Sequence, residues 1–317
     1  MKRKIPYFCR MKIADHRIEL LHSAHQDNKQ EPTPKSRHWQ LQAARIGFQT
    51  IGRVFPTWMA KQAYNMFATP RWRAQHTRTD HIIDSARVVD FNFQEHIIKL
   101  YEWGNPEHPK ILLAHGWESR GTALRMFIPQ LLKLGYYIIA YDAVGHGDSS
   151  GKLNNISTNA KTIAAIINHY GGIYGAIGHS FGCSSLVYAM QYIDNSIDIQ
   201  KLIFIAVPHK TKKLIEGFFK MVNAPDGVKK SFYSIIEAAN QRSLDEIDVA
   251  TAHSAVKVGK LLLLHDRYDD VTSLEAAENV VNNWDNAKLL ITEGYGHFRI
   301  AKNPDVMKRI VDFIEER

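Results

Sequence analysis

The chain has 317 residues, enough for one large domain with a continuous buried core, and its 45% apolar and 23% charged content is ordinary for a globular protein. Two cysteines, Cys9 and Cys183, exclude a disulfide framework and a cysteine-rich zinc site. The net charge of +8 is local, because residues 32–79 contain no Asp or Glu and Lys35, Arg37, Arg45, Arg53, Lys61, Arg71, Arg73 and Arg78 supply the whole excess.

The N-terminus is basic, but no apolar run of signal-peptide length follows it. No stretch approaches the ~18 apolar residues of a spanning helix, so a cytoplasmic location is expected. Residues 1–37 are polar, charged and broken by Pro32 and Pro34; they read as a basic, flexible arm with at most one short helix. Residues 38–80 form a helical extension. There Trp39, Ala43 and Ile46, then Ile51, Phe55, Trp58, Met59 and Met66, recur at helical spacing, and Pro56 breaks the run into two helices or one with an interruption.

From residue 81 to 317 the pattern changes to short β-branched runs alternating with helical ones. Candidate strands span 86–93, 96–103, 110–115, 136–142, 173–178, 201–207, 260–265 and 287–292. Several are continuously apolar, such as Ile111 to Ala114 and Leu261 to Leu264, as strands covered on both faces must be. Helical periods run through Ile163, Ile166, Ile167 and Tyr170, and through Val306, Ile310, Phe313 and Ile314 after Pro304. This alternation predicts an α/β fold: a doubly wound, mostly parallel eight-stranded sheet whose first strands form an antiparallel edge. Residues 208–259 interrupt it. They are too many for a plain crossover and hold two runs rich in large apolar groups, Leu214 to Val222 and Phe232 to Ile236. A helical lid over the carboxyl ends of the strands is expected there, in preference to a helix pair that merely pads the sheet.

The chemistry begins at Gly178-His179-Ser180-Phe181-Gly182, which follows an apolar strand and precedes a helix-compatible run from Cys183 to Met190. A serine lifted to the top of a sheet sits on a turn so sharp that bulky neighbours would collide with strand and helix, hence the two glycines. An activated serine needs a base. Among His115, His146, His179, His209, His265 and His297, only His297 lies between the last strand and the last helix, in a glycine-flanked loop that can bring imidazole over the sheet. The base needs an acid. The loop after 201–207 offers no carboxylate before Glu216, whereas the loop after 260–265 offers Asp266, Asp269 and Asp270. Asp269 at the loop apex is favoured, Asp266 suits pinning the turn, and Asp270 and Asp266 stay as alternatives. The order Ser180, Asp269, His297 is the one this type of site uses. Backbone N–H groups of Phe181 and Trp117 are the candidate oxyanion donors, with Gly116 allowing close approach and the His115 side chain shaping the turn.

On these pieces, together with Asp142-Ala143-Val144-Gly145-His146-Gly147-Asp148-Ser149 and Gly294-Tyr295-Gly296-His297, the chain resembles the lipase/esterase-type α/β hydrolases from about residue 86 to its C-terminus. The resemblance implies the α/β-hydrolase fold with a lid at 208–259. Phe67-Ala68-Thr69-Pro70-Arg71 is similar, less closely, to the N-terminal extension of a bacterial subgroup. One departure is Asp266, where the family usually has glycine, which keeps the choice of acid open.

The expected function is hydrolysis of a small-molecule carboxylic ester of short to medium acyl chain, through an acyl-enzyme on Ser180. Acyltransferase, thioesterase, lipase and carbon–carbon hydrolase chemistry can use the same residues. Dehalogenases and epoxide hydrolases of this fold use an aspartate nucleophile, which Ser180 argues against. A binding protein on a hydrolase scaffold would require lost catalytic groups, and none is missing. No metal or organic cofactor is implied, and nucleic acid has only net charge behind it. For residues 32–79 two readings stand: weak docking on an anionic membrane surface, or an apolar face packed on the core with solvated cations.

Overall fold

The computed structural model describes residues 16–21, 38–74, 80–208, 210–252 and 257–316. In chain order these form β1 (Ile18–Leu20), α1 (His38–Gln49), α2 (Ile51–Val54), α3 (Pro56–Ala68), α4 (His81–Asp84), β2 (Arg87–Phe93), β3 (His96–Trp103), β4 (Lys110–Ala114), a 3-10 segment (Gly121–Phe127) and α5 (Ile128–Lys133). Then come β5 (Tyr137–Tyr141), α6 (Ile156–His169), β6 (Gly175–His179), α7 (Phe181–Ala189), β7 (Ile199–Ile205), α8 (Thr211–Val222) and α9 (Asp226–Asn240). Last are β8 (Val258–Asp266), α10 (Leu274–Asn283), β9 (Ala287–Thr292), α11 (Gly296–Arg299) and α12 (Pro304–Glu315).

The sheet has nine strands in the order β1-β9-β8-β7-β6-β4-β5-β3-β2. Only the β2–β3 and β3–β5 pairs are antiparallel. Pairing β4 with both β5 and β6 places the β6–α7 turn at the centre of the sheet, where the strand order reverses and a crevice opens. The eight-stranded expectation is corrected by β1, which runs parallel to β9. Three residues are too few to show alternation in a sequence, and what holds them is tertiary. Arg17 donates to the Val281 carbonyl at 2.9 Å, and Glu19 pairs with Arg309 on α12. The other residues of the expected flexible arm, 1–15 and 22–37, lie outside the described residues, as does His209.

Apolar strands alternate their side chains between two cores, which is why continuous runs were needed. One core joins Leu112, Ile139, Ala176, Leu202 and Leu263 to α6, α7 and α10. The other joins Ile111, Leu113, Ile138, Ile203 and Leu262 to α5 and α12. The inserted helices α8 and α9 extend the first core. Their Phe219, Val228 and Phe232 are buried with Phe48, Met59 and Ala63 of α1 and α3. An ion pair between Lys210 and Asp248 at 3.2 Å spans the base of the insertion. Pro56 opens α3 at a position where its missing N–H costs nothing, so α2 and α3 are separate helices. No helix among the described residues is long and apolar enough to cross a membrane.

Candidate active site

Ser180 sits between β6 and α7 with φ +50° and ψ −115°, a conformation that is strained for any residue with a Cβ. The neighbouring glycines permit it. A Cβ on Gly182 would lie 2.3 Å from the Ala114 carbonyl oxygen, and one on Gly178 would lie 2.9 Å from Leu186 and 3.0 Å from the Cys183 nitrogen. The turn is pinned by the Ser180 N–H, which donates to the Ile205 carbonyl at 2.9 Å.

His297 is buried on α11 beyond the end of β9. Its Nδ1–H donates to Asp269 Oδ2 at 2.8 Å, which leaves Nε2 as the acceptor of the neutral ring. The Asp269 carboxylate is fully buried. Burial alone would raise its pKa, but hydrogen bonds from His297 and from the Thr272 and Val271 N–H groups outweigh that and hold it below the ordinary carboxylate value. The two alternative acids are elsewhere. Asp266 is buried and accepts from Thr292 Oγ1, the Tyr295 N–H and the Tyr268 N–H at 2.8–3.0 Å, pinning the β8 and β9 loops together. Asp270 is exposed.

The serine and histidine loops meet through a neighbour. His179 Nε2 donates to the His297 carbonyl at 2.9 Å, and the two rings lie 4.9 Å apart. Among the described residues no hydrogen bond joins the Ser180 hydroxyl to the His297 ring. Such contacts commonly close only when a substrate fills the site.

The loop after β4 comes to the same place. A Cβ on Gly116 would lie 2.7 Å from His179 Nδ1, so only glycine lets the loop rest on the serine turn. The Trp117 ring meets that of Phe181 edge-on at 5.3 Å. Among the described residues, no group accepts a hydrogen bond from the N–H of Trp117 or of Phe181. His115 is a strut. Its Nδ1–H donates to the Gly116 carbonyl at 2.7 Å while Nε2 accepts from the Ala143 N–H at 3.0 Å. Burial, helped by nearby His146, pushes its pKa down to about 3, so the ring stays neutral.

Four residues take parts that the sequence reading did not assign to them. Thr272 Oγ1 donates to Asp269 Oδ2 at 3.0 Å and lies 3.3 Å from His297 Nδ1. His265, weighed only as a base, is fully buried and donates from Nε2 to the Thr272 carbonyl at 3.0 Å, bracing the turn that carries Asp269. Asp142 accepts from the Gly121 and Asp148 N–H groups and from Tyr101, while Arg120 bonds Asp148 at 2.8 Å. This network locks residues 142–149 against the loop that carries Trp117. A threonine or a lone buried arginine carries no pattern in one sequence, so no signal marked them.

A family model described as the alpha/beta hydrolase family matches residues 111–307. A bifunctional esterase/perhydrolase from Acinetobacter calcoaceticus is 26% identical over 140 residues, 43% of this chain and 48% of that protein. An epoxide hydrolase from Mycobacterium tuberculosis is 38% identical over 64 residues, 20% of this chain and 19% of that one. The chain therefore spans less than half the length of either curated relative. The esterase structure from Pyrococcus furiosus superposes with a TM-score of 0.57 at 19% identity, covering 78% of this chain and 96% of that one, a likeness of fold.

Proposed function

Because the chain belongs to the alpha/beta hydrolase family, we propose that it is a serine hydrolase that cleaves carboxylic esters through an acyl-enzyme on Ser180. One observation carries this reading: the Asp269–His297 pair at 2.8 Å is held by His179 beside the strained turn that presents Ser180. His297 Nε2 takes the Ser180 hydroxyl proton as Oγ bonds to the ester carbonyl carbon. Asp269 stabilises the resulting imidazolium. The N–H groups of Trp117 and Phe181 donate to the oxyanion, an arrangement in which one donor is worth about 10²- to 10³-fold in rate. Collapse breaks the bond to the leaving alkoxide, which takes the proton from His297 and departs as alcohol. Water then repeats the sequence on the acyl-enzyme, freeing the carboxylic acid and Ser180.

Ester chemistry is favoured by the esterase activity named for the Acinetobacter relative. Exposed Tyr268, Val271 and Phe298, next in sequence or nearly so to Asp269 and His297, offer apolar surface at the site for an acyl group, here taken as one of short to medium length. The epoxide hydrolase likeness covers a small part of both chains, and the turn here presents Ser180 where that chemistry on this fold uses an aspartate. The insertion at 208–259 is read as the cover of this site.

The test is a panel of p-nitrophenyl esters of graded acyl length, run beside fluorophosphonate labelling, with Ser180→Ala as control. Hydrolysis and labelling that both vanish in the variant are expected. Folded wild-type protein that neither turns over any ester nor takes the label would refute the proposal. Alcohols and thiols added as competing acyl acceptors separate hydrolysis from acyl transfer.

A further inference from the structure

Most of the apolar residues whose spacing predicted helices at the N-terminus face away from the core. Trp39, Ile46, Ile51, Val54, Phe55 and Trp58 are 46–69% exposed. Ile51 and Val54 stand on α2, Phe55 at the break between the helices and Trp58 in the first turn of α3, so the exposed apolar side chains run across the α2–α3 junction. The opposite side is the one the fold consumes. Phe48 meets Phe218 edge-on at 6.3 Å, and a Cβ on Gly52 would touch Val228 at 3.1 Å. Met59, Ala60 and Ala63 are buried there as well. Half of the sixteen exposed large apolar side chains among the described residues fall between 39 and 72. That is a patch, where scattered single residues are the norm.

The same segment has no carboxylate from residue 32 to 79, and Arg53 and Lys61 are exposed beside the patch. We propose that α1, α2 and the start of α3 lie flat on an anionic phospholipid surface, with the aromatic and aliphatic patch in the headgroup–acyl boundary and Arg53 and Lys61 on lipid phosphates. Tryptophan, phenylalanine and basic side chains on one amphipathic layer are what such an interface selects. Helices of 12 and 13 residues are too short to span a bilayer and suited to lie on it. A second copy of the chain fits less well. A two-fold interface would set these cations against themselves, and the segment has no acid to pair them. The lipid surface supplies both the apolar depth and the negative charge.

Co-sedimentation of the full chain with vesicles tests this. Vesicles of phosphatidylcholine with roughly a quarter phosphatidylglycerol should carry the protein down, and pure phosphatidylcholine or high salt should release most of it. Phe55→Ser with Trp58→Ser should weaken partitioning by about tenfold or more, and Arg53→Glu with Lys61→Glu should abolish the preference for anionic vesicles. Both variants change exposed side chains, so unaltered circular dichroism and melting temperature verify that they are folded. The idea is overturned if wild-type protein stays in solution with anionic vesicles, or if both variants bind as wild type does. It is also overturned if light scattering shows a dimer that the Phe55 and Trp58 changes dissolve, since the patch would then be covered by a second copy.

Discussion

Arg71 grips Glu118 at both carboxylate oxygens. Its N–H and Nε–H donate to Oε1 at 2.9 and 2.8 Å, and Nη2 donates to Oε2 at 2.9 Å. Glu118 follows Trp117 directly and has φ +54°, so the N-terminal extension holds a strained residue beside a proposed oxyanion donor. Burial would raise the Glu118 pKa, but the bonds from Arg71 outweigh it and hold the carboxyl below its ordinary value.

Arg71 is therefore expected to act as a positioning residue. Arg71→Ala should lower kcat on a p-nitrophenyl ester by about tenfold with KM nearly unchanged, because the loss falls on an interaction made in the transition state. Arg71→Lys should recover little, since an ammonium cannot reproduce the forked contact. The Arg71 side chain is 64% exposed but that of Glu118 only 10%, so Arg71→Ala should also lose about 1–3 kcal/mol of stability as the carboxylate loses its partner. Steady-state kinetics with a thermal melt decide the matter; a raised KM at constant kcat would assign Arg71 to substrate binding instead.

The three acids of the 266–270 loop should separate cleanly. Asp269→Asn should cost kcat about 10³- to 10⁴-fold, because a neutral amide has no charge to stabilise imidazolium and, with its NH2 toward Nδ1, would impose the wrong tautomer on His297. Asp270→Asn should stay within about twofold, as the exposed side chain lies away from His297. Asp266→Asn should instead show itself in stability, by about 1–3 kcal/mol, since a buried carboxylate accepting three hydrogen bonds is replaced by a group that must misplace one. Ester kinetics and urea unfolding of the three variants give the comparison. Equal losses of kcat in all three would remove the case for Asp269.

Stability should begin to fall with acid at a pH above the ordinary carboxylate range. Burial pushes His115 down to about 3 and His179 down to about 4, so both rings are neutral in the folded chain. Unfolded, each takes a proton near the ordinary value of about 6.5. The unfolded state then binds more protons than the folded one. The stabilisation is complete above pH about 6.5 and is lost as pH falls toward about 4 for His179 and about 3 for His115, at about 1.4 kcal/mol per pH unit for each proton. Urea midpoints between neutral and mildly acidic pH should follow this slope, and His115→Gln, which keeps an acceptor for the Ala143 N–H, should make it shallower. A flat profile in that range would contradict the neutral-histidine account.

Much of the fold was legible because its signals are local. Strands buried on both faces must be apolar throughout, so runs such as Ile111 to Ala114 marked β4, β7 and β8 to within two or three residues. The serine turn was legible for the same kind of reason, since its two glycines answer contacts that any Cβ would make. Strand β1 was not legible, because three residues held by Arg17 and Glu19 have no period to show.

What the linear order determined, then, was which residue types the chemistry could use and which segments could lie in a doubly covered sheet, because backbone geometry and side-chain period act over a few neighbours. It favoured Asp269 by its place in the loop but kept Asp266 and Asp270 as alternatives, and in the structure the turn braced by His265 and Thr272 aims the Asp269 carboxylate, and neither of the others, at His297. It made α1 to α3 amphipathic without saying which side would be covered. Packing against Phe218, Val228 and Phe232 took the side of Phe48 and Met59 and left Trp39, Phe55 and Trp58 facing outward, a choice set by contacts between residues far apart in the chain.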